Sequence, residues 1–462
     1  MENKPIRIGF LSLGCSKNLV DTEVMLHRLA EAGYELTPDE TEADIIVINT
    51  CGFIESAKQE SIDNILDIAW LKKNRWLRGI IATGCLVERY REQVFTEMPE
   101  VDALLGVGSL DRIVEAVEAV LRGERFSSFA DKESSTLGGE RVLTTPEYTA
   151  YLKVAEGCDN RCSYCAIPLI RGRFRSRPME DIVAEAQELE ALGVRELNLI
   201  AQDTTRYGLD LYGDYKLAAL VRAICRETKI PWIRLLYCYP DKITDELVCE
   251  LRDNPRLLKY MDIPVQHISD NILRRMNRHG DSATIRDAIA RLRREVPGIV
   301  LRTTAIVGFP GESEQDFAAL CEFVKETRFD RFGAFTYSAE EGTPAADFPD
   351  QIDEQTKQDR YDILMETQRA ISEEKCASHI GEEVLVLCEG YDEAAGIHAG
   401  RSEADAPDVD GKVYFTADHR VPAGAFVRVR VTEALDYDLV GRLISGDGDE
   451  ADGDSDISEH TN

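Results

Sequence analysis

Short apolar runs alternate with amphipathic stretches along the first 130 residues of the chain. Three runs are rich in β-branched residues, as expected of strands that are buried on both faces. They cover residues 6–15, 43–51 and 78–85. The stretches between them, residues 18–33 and 55–73, have the length and mixed character of surface helices. Because repeated strand–helix–strand units are typical of a parallel sheet with right-handed crossovers, we predict an α/β domain over residues 1–130.

A second series of strand-like runs begins after residues 131–146, a polar stretch with several Gly and Ser residues that predicts a linker. Within residues 147–376, six such runs are separated by amphipathic helices. The runs start at Ala150, Glu196, Trp232, Tyr260, Ile299 and Arg331. Because eight strand–helix units close a full parallel barrel, six units predict a partial one.

The remaining residues show a different pattern. Residues 377–446 alternate apolar and polar positions with frequent turns, which predicts a small antiparallel β-barrel. Residues 447–462 contain seven acidic residues and no Lys or Arg, and a segment so poor in apolar residues is predicted to be a disordered tail. The predicted fold class is therefore α/β, with a parallel sheet domain, a partial (β/α)6 barrel and a C-terminal β-barrel.

Three cysteines, Cys158, Cys162 and Cys165, follow the first strand of the predicted barrel in the pattern C-x-x-x-C-x-x-C. Barrels of this kind carry their active sites at this end of the strands. Three thiolates on one loop can bind three irons of a four-iron, four-sulfur (4Fe–4S) cluster, which leaves the fourth iron open to a small molecule. Zinc is the alternative, but a structural zinc site uses four ligands, and no second cysteine pair lies nearby. The spacing therefore favours an iron–sulfur cluster.

Three further cysteines, Cys15, Cys51 and Cys85, end the three apolar runs of the first domain, and each adjoins a glycine that allows close approach of a bulky cluster. The carboxyl ends of parallel strands meet at one edge of a sheet, where open α/β sheets bind ligands, so we expect these thiols to converge. The alternative is three unrelated buried thiols. The other cysteines lack ligand spacing and are interpreted as structural: Cys225, Cys238, Cys249, Cys321, Cys376 and Cys388.

The amino-acid composition indicates the cellular compartment and the kind of partner that suit this protein. The 462 residues include 12 cysteines, which without a signal peptide favour a reducing compartment. No apolar run approaches the roughly 18 residues of a membrane helix, so we predict a soluble, cytoplasmic protein. The formal net charge is −31, and −24 without residues 447–462. A chain with this much negative charge is expected to repel nucleic-acid phosphates and to attract basic partners. The alternative is that the charge serves only to keep the protein soluble.

The chain resembles the radical S-adenosylmethionine (SAM) methylthiotransferases over nearly its whole length. Residues 13–26, LGCSKNLVDTEVML, together with residues 260–276 and 331–346, are similar to the branch that modifies an aspartate of small-subunit ribosomal protein twelve. The other branch modifies adenosine in transfer RNA and typically has Gln-Met-Asn after its first cysteine. The resemblance implies a three-cysteine domain, a six-stranded partial barrel, a C-terminal TRAM barrel, two 4Fe–4S clusters and SAM. A transfer-RNA methylthiotransferase and a non-enzymatic iron–sulfur module on the ribosome are the competing hypotheses.

Radical chemistry suits the substrate that the resemblance implies. The CH₂ next to an aspartate carboxylate is too weakly acidic for a side-chain base, so a cofactor must supply a radical. By resemblance, SAM binds the open iron near Cys158, Cys162 and Cys165, and its cleavage gives a radical that removes hydrogen from the aspartate β-carbon. The cluster on the N-terminal cysteines then delivers a sulfur that a second SAM methylates. An electron donor such as flavodoxin or ferredoxin is implied as a partner.

Five other residues are candidates to contact the cofactor. Tyr164 lies between two ligating cysteines, where the aromatic residue of the family abuts adenine. Gly308, in the run AIVGFPGES, resembles a SAM-contacting glycine segment, with an ordinary strand-to-helix turn as the alternative. Gln202, Arg234 and Gln266 lie at the ends of predicted strands and are expected to point inward.

Arginines surround the barrel cysteines, namely Arg161, Arg171, Arg173, Arg175 and Arg177. They are candidates to contact RNA, or the carboxylates of SAM and of a target aspartate. The alternative is a rim of ordinary solvated arginines.

The predicted C-terminal barrel is acidic, with thirteen acidic and six basic residues between positions 378 and 446. A barrel that binds RNA needs basic surface. We therefore expect a basic ribosomal protein as the partner, rather than transfer RNA, and no membrane association. The acidic residues expected to take part in that binding surface are Glu403, Asp405, Asp408 and Asp410.

Overall fold

The computed structural model describes residues 5–135 and 137–444, which form two compact units. The first unit comprises Met1–Thr327 and Phe332–Met365, and the second comprises Arg328–Arg331 and Glu366–Asn462. The first predicted domain and most of the second thus lie in one unit, whereas residues 328–331 and 366–376 of the second predicted domain belong to the other unit. The domain boundaries stay predictions. The predicted tail, residues 447–462, lies outside the described residues.

A six-stranded parallel sheet forms the N-terminal part of the first unit; three of its strands lie at the predicted apolar runs, and the other three were not predicted. Its strands are β1 (Arg7–Ser12), β2 (Glu35–Thr37), β3 (Ile45–Thr50), β4 (Gly79–Gly84), β5 (Ala103–Leu105) and β6 (Phe126–Ser128). They are ordered β2-β1-β3-β4-β5-β6, and every neighbouring pair is parallel. The α-helices between them are α1 (Ser16–Glu31), α2 (Glu55–Asn74), α3 (Cys85–Tyr90), α4 (Gln93–Glu97) and α5 (Ile113–Leu121).

Strands β3 and β4 are buried at every residue because helices cover both faces of the sheet. Ile46 and Ile48 pack on one face against Ile65 of α2. Val47 packs on the opposite face against Met25 of α1. Successive side chains of a strand point to opposite faces, so a strand covered on both faces has an apolar residue at nearly every position.

A second six-stranded sheet follows in the same unit. Its strands are β7 (Thr149–Lys153), β10 (Glu196–Ile200), β11 (Trp232–Leu235), β12 (Leu257–Asp262), β13 (Val300–Val307) and β14 (Arg331–Thr336), while β8 (Ala155–Glu156) and β9 (Arg175–Ser176) form a small antiparallel pair. The sheet is ordered β14-β13-β12-β11-β10-β7 and is parallel from β7 to β13. This open parallel sheet matches the predicted partial barrel, with all six strands at the predicted runs.

Helices accompany the second sheet. They are α6 (Ile167–Arg171), α7 (Met179–Ala191), α8 (Leu209–Tyr212), α9 (Leu217–Glu227), α10 (Asp245–Asp253), α11 (Asp270–Arg275), α12 (Ser282–Glu295), α13 (Glu314–Thr327) and α14 (Glu354–Ser378). Short 3₁₀ helices cover Glu40–Glu42, Leu110–Arg112, Thr204–Arg206, Pro240–Lys242 and Pro344–Asp347. Within the described part of the chain, none of the helices combines the length and apolar character needed to cross a membrane.

The second unit contains a closed five-stranded barrel, as predicted. Its strands are β15 (Glu383–Asp392), β16 (Ile397–Ser402), β17 (Val413–Thr416), β18 (Phe426–Ala434) and β19 (Leu439–Leu443), ordered β15-β16-β17-β19-β18. The expectation of a wholly antiparallel barrel is wrong for one pair, because β17 and β19 are parallel. A closed ring of five strands cannot alternate in direction all the way round, so one neighbouring pair must run the same way.

The expected acidic surface of this barrel is also partly wrong. Asp405 is only 2% exposed, and its carboxylate accepts hydrogen bonds from the amide and hydroxyl of Ser402. It also accepts a hydrogen bond from Arg331 Nε at 3.1 Å. Glu403 and Asp408 are exposed, whereas Asp410 is half-buried. Asp405 therefore stabilises the unit from within and is not part of a binding surface.

Candidate active site

The three N-terminal cysteines lie at the carboxyl ends of three neighbouring strands. Cys15 follows β1 and precedes α1, Cys51 follows β3 directly, and Cys85 begins α3 immediately after β4. Gly14 has a left-handed φ of 88°, and a Cβ added to it would lie 2.8 Å from the Cys51 Cβ and 3.0 Å from its Sγ. The loops meet so closely that only glycine fits there. The structure thus brings this set of predicted residues together.

The three thiols differ in their exposure to solvent. Cys15 is exposed, Cys51 is half-buried and Cys85 is buried. Burial raises the pKa of the Cys51 thiol, and it raises the pKa of Cys85 to about 12, against an opposing effect of Arg171. Without a metal these two thiols are therefore neutral near pH 7, and a metal that binds them must displace protons.

The barrel cysteines follow β7 and β8 at the carboxyl edge of the second sheet. Cys158 and Cys162 are buried, and Cys165 is half-buried. All three line one cavity of about 410 Å³, a volume typical of small-molecule sites. Arg161 and Arg173 also line it. Burial raises the pKa of the Cys158 thiol to about 11 and raises that of Cys165 as well.

The spacing of the sulfurs tests whether a single metal ion fits. Thiolates bound to one tetrahedral zinc at about 2.3 Å would lie roughly 3.8 Å from one another. Among the described residues, one group of three or more His, Cys, Asp or Glu side chains has ligand atoms that all lie within 4.8 Å of one another. This group consists of His27, Glu31 and Glu140. Neither cysteine set is that compact. Neither set is therefore arranged to bind one zinc ion through all three thiolates. Three thiolates that each bind a different iron of a cluster do not need to lie so close together.

Aromatic and basic side chains contact the barrel cysteines. The Tyr239 hydroxyl lies 4.0 Å from Cys162 Sγ, and Arg278 Nη1 lies 3.9 Å from the same sulfur. The Arg278 guanidinium also covers the Tyr239 ring, 4.3 Å from its centroid. These residues come from the segments after β11 and β12, so the sequence pattern around the cysteines did not reveal them.

The predicted contacts Tyr164 and Gly308 lie close to one another. The Tyr164 ring meets the ring of Phe309, the neighbour of Gly308, edge to face at 6.4 Å. Gly308 has a left-handed φ of 72°, and its amide and that of Phe309 both donate to Glu312. The segment is therefore a turn, as the alternative predicted, and it also reaches the aromatic residue of the cysteine loop.

Gln202 and Gln266 both lie beyond the carboxyl ends of barrel strands. Gln202 Nε2 donates to Glu156 Oε1 at 2.7 Å. Gln266 adopts a left-handed φ of 70°, a strained conformation for a residue with a Cβ. Each Oε1 is buried without a hydrogen-bond partner among residues 5–135 and 137–444. Two amide oxygens are thus able to accept hydrogen bonds from a ligand, and their role as cofactor contacts stays a prediction.

Arg234 has a different environment from the two glutamines. Its side chain is fully buried and pairs with Glu196 of the neighbouring strand at 3.1 Å. Its guanidinium also covers the Tyr260 ring, 4.6 Å from the centroid. These contacts hold Arg234 between strands of the barrel, and its role as a cofactor contact stays a prediction.

The five arginines near the barrel cysteines do not form one surface. Arg173 is exposed and pairs with Asp159 at 3.6 Å, and Arg161 is exposed as well. Arg175 donates to backbone carbonyls of the segment after β6, and Arg177 is buried against Glu185. A solvated rim or an RNA-binding surface built from all five is therefore wrong, because packing uses three of them inside the unit.

Arg171 is the third of these internal arginines, and it lies between the two cysteine sets. Its side chain is 3% exposed. Nη2 donates to Cys85 Sγ at 3.4 Å and to Asn18 Oδ1 at 2.9 Å. Nη1 donates to Asp21 Oδ2 at 2.6 Å and to Glu156 Oε2 at 3.1 Å. One guanidinium thus joins α1, the N-terminal cysteine set and the loop that carries the barrel cysteines.

Lys153 completes this buried network of charges. Its Nζ donates to Glu156 Oε2 at 2.9 Å and also pairs with Asp21. Burial raises the pKa of Glu156, but the charges of Lys153 and Arg171 outweigh it and hold that pKa far below its usual range. Two cations and two anions are therefore matched at the junction of the two sheets, as buried charges must be.

A signal for this network was present in the sequence of α1. The buried residues of that helix include the polar set Lys17, Asn18, Asp21, Thr22 and Glu23. Polar residues at helical spacing ordinarily indicate a solvated face. Here that face packs against the barrel, and no local pattern distinguishes the two cases.

Comparisons with known proteins agree with this architecture. Residues 7–106 match the uncharacterized protein family UPF0004, residues 152–324 match the radical SAM superfamily, and residues 380–444 match the TRAM domain. The chain is 51% identical to the ribosomal protein uS12 methylthiotransferase RimO of Geobacter sulfurreducens over 96% of this chain and all of that protein. It is 50% identical to RimO of Desulforamulus reducens over 94% of this chain and 99% of that one.

A solved structure shares the fold at low sequence identity. The radical S-adenosylmethionine methyltransferase TsrM of Kitasatospora setae, solved with cobalamin and a 4Fe–4S cluster bound, is similar with a TM-score of 0.54. The match covers 74% of each chain at 14% identity. At that identity the likeness concerns the fold alone.

Proposed function

This chain belongs to the ribosomal protein uS12 methylthiotransferases of the radical SAM superfamily, and from that membership we propose that it adds a methylthio group to the β-carbon of an aspartate in uS12. Relatives at about half identity over nearly the whole chain carry that name. A transfer-RNA methylthiotransferase is not favoured, since the RimO relatives of Geobacter sulfurreducens and Geotalea uraniireducens match 96% and 95% of this chain.

One geometric observation supports this function above all. Two separate three-cysteine sets occupy the carboxyl edges of two sheets in one unit, and a single buried arginine contacts both regions. Methylthio transfer needs one site that activates a carbon and a second site that supplies sulfur, and both sites must reach the same carbon. A non-enzymatic iron–sulfur module on the ribosome needs neither two such sites nor a cavity beside one of them.

We assign one 4Fe–4S cluster to each cysteine set. Thiolates are soft ligands that suit iron–sulfur clusters. Neither set has its three sulfurs within 4.8 Å of one another, which disfavours one shared metal ion. When bound with SAM, the cluster on Cys158, Cys162 and Cys165 supplies the radical chemistry that an unactivated CH₂ requires. The set on Cys15, Cys51 and Cys85 is assigned the sulfur-delivering cluster.

The protein's own side chains hold and enclose the cofactor. Tyr164 and Phe309 pack together beside the cysteine loop, and we assign the Tyr164 ring and the Gly308 turn to the adenine end of SAM. Gln202 and Gln266 offer buried amide oxygens that suit its hydroxyl or amino donors. The charge of Arg234 is already neutralised by Glu196, so we do not assign this residue to the carboxylate of SAM.

Partner choice follows from charge. The chain carries a net charge of −31, and its last barrel is acidic as well, which favours a basic ribosomal protein over the phosphates of transfer RNA. An electron donor such as flavodoxin or ferredoxin is required, because one-electron chemistry needs a reductant. We assign the cytoplasm as its compartment, where ribosomal proteins and reduced thiols occur together.

Mass spectrometry of uS12 tests the proposal directly. Peptides of uS12 from a strain that lacks this gene should be lighter by about 46 Da at the target aspartate, the difference between SCH₃ and H, than those from the complemented strain. Complementation with a Cys51→Ala variant should not restore the mass. An unchanged uS12 mass, with loss of methylthioadenosine from transfer RNA instead, would establish the competing function.

A further inference from the structure

Lys17, the second residue of α1, is a buried lysine without a carboxylate partner. Its residue is 6% exposed. Within the described residues its Nζ makes no hydrogen bond or ion pair. It makes a cation–π contact with the Tyr237 ring, 3.1 Å from the ring centroid. The other buried lysines of the described chain all pair with a carboxylate: Lys58, Lys153, Lys242 and Lys357.

A buried ammonium of this kind is costly. Removing a charge from water without an opposite charge carries a large desolvation penalty, and a cation–π contact offsets only part of it. The protein matches its other buried lysines with Asp or Glu, so packing alone does not account for the exception. A site that leaves a cation unmatched is suited to an anion that arrives with a ligand.

Lys17 lies next to the N-terminal cysteine set in sequence and contacts a residue of the barrel. It lies two residues after Cys15, and Tyr237 lies two residues before Tyr239, whose hydroxyl is 4.0 Å from Cys162 Sγ. Tyr237 also adopts a left-handed φ of 61°, which is strained for a residue with a Cβ. Strained backbone at a strand end is common at sites of ligand contact. The contact of Lys17 with Tyr237 therefore lies where the N-terminal sheet meets the mouth of the barrel.

We propose that the Lys17 ammonium binds the side-chain carboxylate of the substrate aspartate and so determines that the enzyme acts on aspartate. This inference rests on the proposed function. The carboxylate adjoins the carbon that reacts but takes no part in the new bond, so holding it fixes that carbon in place. The carboxylate of SAM is the competing anion. The cavity beside Cys158 is lined by its own cation, Arg161, while Arg173, which also lines it, pairs with Asp159. Arg161 therefore suits the SAM carboxylate, which leaves Lys17 for the substrate.

Binding of two synthetic uS12 peptides to the reconstituted enzyme tests this role. One carries the target aspartate and the other asparagine, and fluorescence anisotropy measures both dissociation constants. The wild-type enzyme should bind the aspartate peptide about tenfold or more tightly than the asparagine peptide, since a charged hydrogen-bonded pair is lost with asparagine. In Lys17→Met that preference should fall below about twofold, and Lys17→Arg should retain part of it. The control, Lys73→Met, removes an exposed lysine of α2 and should keep the wild-type preference.

Two further measurements separate this role from others. Iron content and the KM for SAM, measured as 5′-deoxyadenosine release, should stay within about twofold of wild type in Lys17→Met, because neither cysteine set is altered. A preference for aspartate that survives in Lys17→Met overturns the inference, and a raised KM for SAM in that variant would assign the ammonium to the cofactor. If wild-type enzyme binds neither peptide and leaves uS12 unmodified, the proposed function itself fails.

Discussion

Arg171 donates a hydrogen bond from Nη2 to the Sγ of Cys85, 3.4 Å away, across the junction between the two sheets. The arginine ends the helix after the barrel cysteines, and the sulfur belongs to the N-terminal set. Hydrogen bonds to cluster sulfurs are one means by which proteins adjust reduction potentials. The same guanidinium neutralises Asp21 and Glu156, so its removal affects both the stability of the junction and the environment of the N-terminal site.

Substitution of Arg171 should therefore have two separable effects. Arg171→Gln removes one of the two cations that match the buried carboxylates of Asp21 and Glu156, leaving Lys153 against both. It should lower the free energy of unfolding by about 3–5 kcal/mol, measured by urea denaturation. Arg171→Lys keeps the charge but not the planar fork, so it should fold and show an altered electron paramagnetic resonance signal of the N-terminal cluster. Arg177→Lys is the control, because Arg177 is equally buried but pairs with Glu185 and contacts no sulfur. The same signal change in both lysine variants would contradict a specific role of Arg171.

Replacement of Cys162 by Ala should remove the barrel cluster. Iron per anaerobically purified chain should fall from about eight to about four, because each cluster holds four irons, and SAM cleavage should stop. Cys249→Ala is the matched control, since Cys249 is exposed and belongs to neither set. Full iron content in Cys162→Ala would exclude this cysteine as a ligand.

Replacement of Cys51 by Ala should separate the two halves of the reaction. The barrel cysteines are unchanged, so 5′-deoxyadenosine should still form with SAM and a reductant, while methylthiolated uS12 should be absent. Liquid chromatography of the nucleoside and mass spectrometry of uS12 measure the two outcomes on one sample. Product at the wild-type rate would show that sulfur comes from elsewhere.

His267 should make folding sensitive to acid. Burial lowers its pKa from 6.5 to about 4, so the unfolded chain binds this proton more readily than the folded one. Stability from the neutral ring is therefore complete above pH 6.5 and should be lost as pH falls towards 4, by up to about 3 kcal/mol. Urea midpoints between pH 7.5 and 5 measure the slope.

Glu312 also titrates in this pH range, so the contribution of His267 has to be measured by comparing the wild type with a His267 variant. Burial raises the pKa of Glu312 to about 7, which contributes a pH dependence of the opposite sign. His267→Asn can keep an acceptor for the Ser269 amide and should flatten the acid-side loss without altering the Glu312 contribution. Identical slopes in the two proteins would assign the acid sensitivity to other groups.

Charge reversal on the C-terminal barrel should weaken uS12 binding. Asp418 and Glu433 are exposed, unlike Asp405, so replacing both with Lys should leave folding intact. Affinity for uS12 should fall severalfold at low salt, and the difference should shrink as salt screens the charges. Titrations at two salt concentrations, with transfer RNA as a second ligand, measure this. Unchanged uS12 affinity would place the binding surface elsewhere.

Several strands and the convergence of the N-terminal cysteines could be predicted from the sequence alone, whereas the cluster chemistry of both cysteine sets stays a prediction. Strands such as β3 and β4 are recognisable because burial on both faces imposes an apolar residue at nearly every position. The cysteines follow these strands directly, and parallel strands end at one edge of a sheet. Local pattern and topology were sufficient to expect that Cys15, Cys51 and Cys85 converge.

Which charged residues have a partner of opposite charge depends on tertiary packing. Arg171 and Arg173 are two positions apart, yet one is buried against Asp21 and Cys85 while the other is exposed. Lys17 resembles any surface lysine in sequence, and only packing of α1 on the barrel buries it without a carboxylate. Arg171 meets Asp21 across 150 positions, and Lys17 meets Tyr237 from a distant part of the chain. No local pattern carries that information.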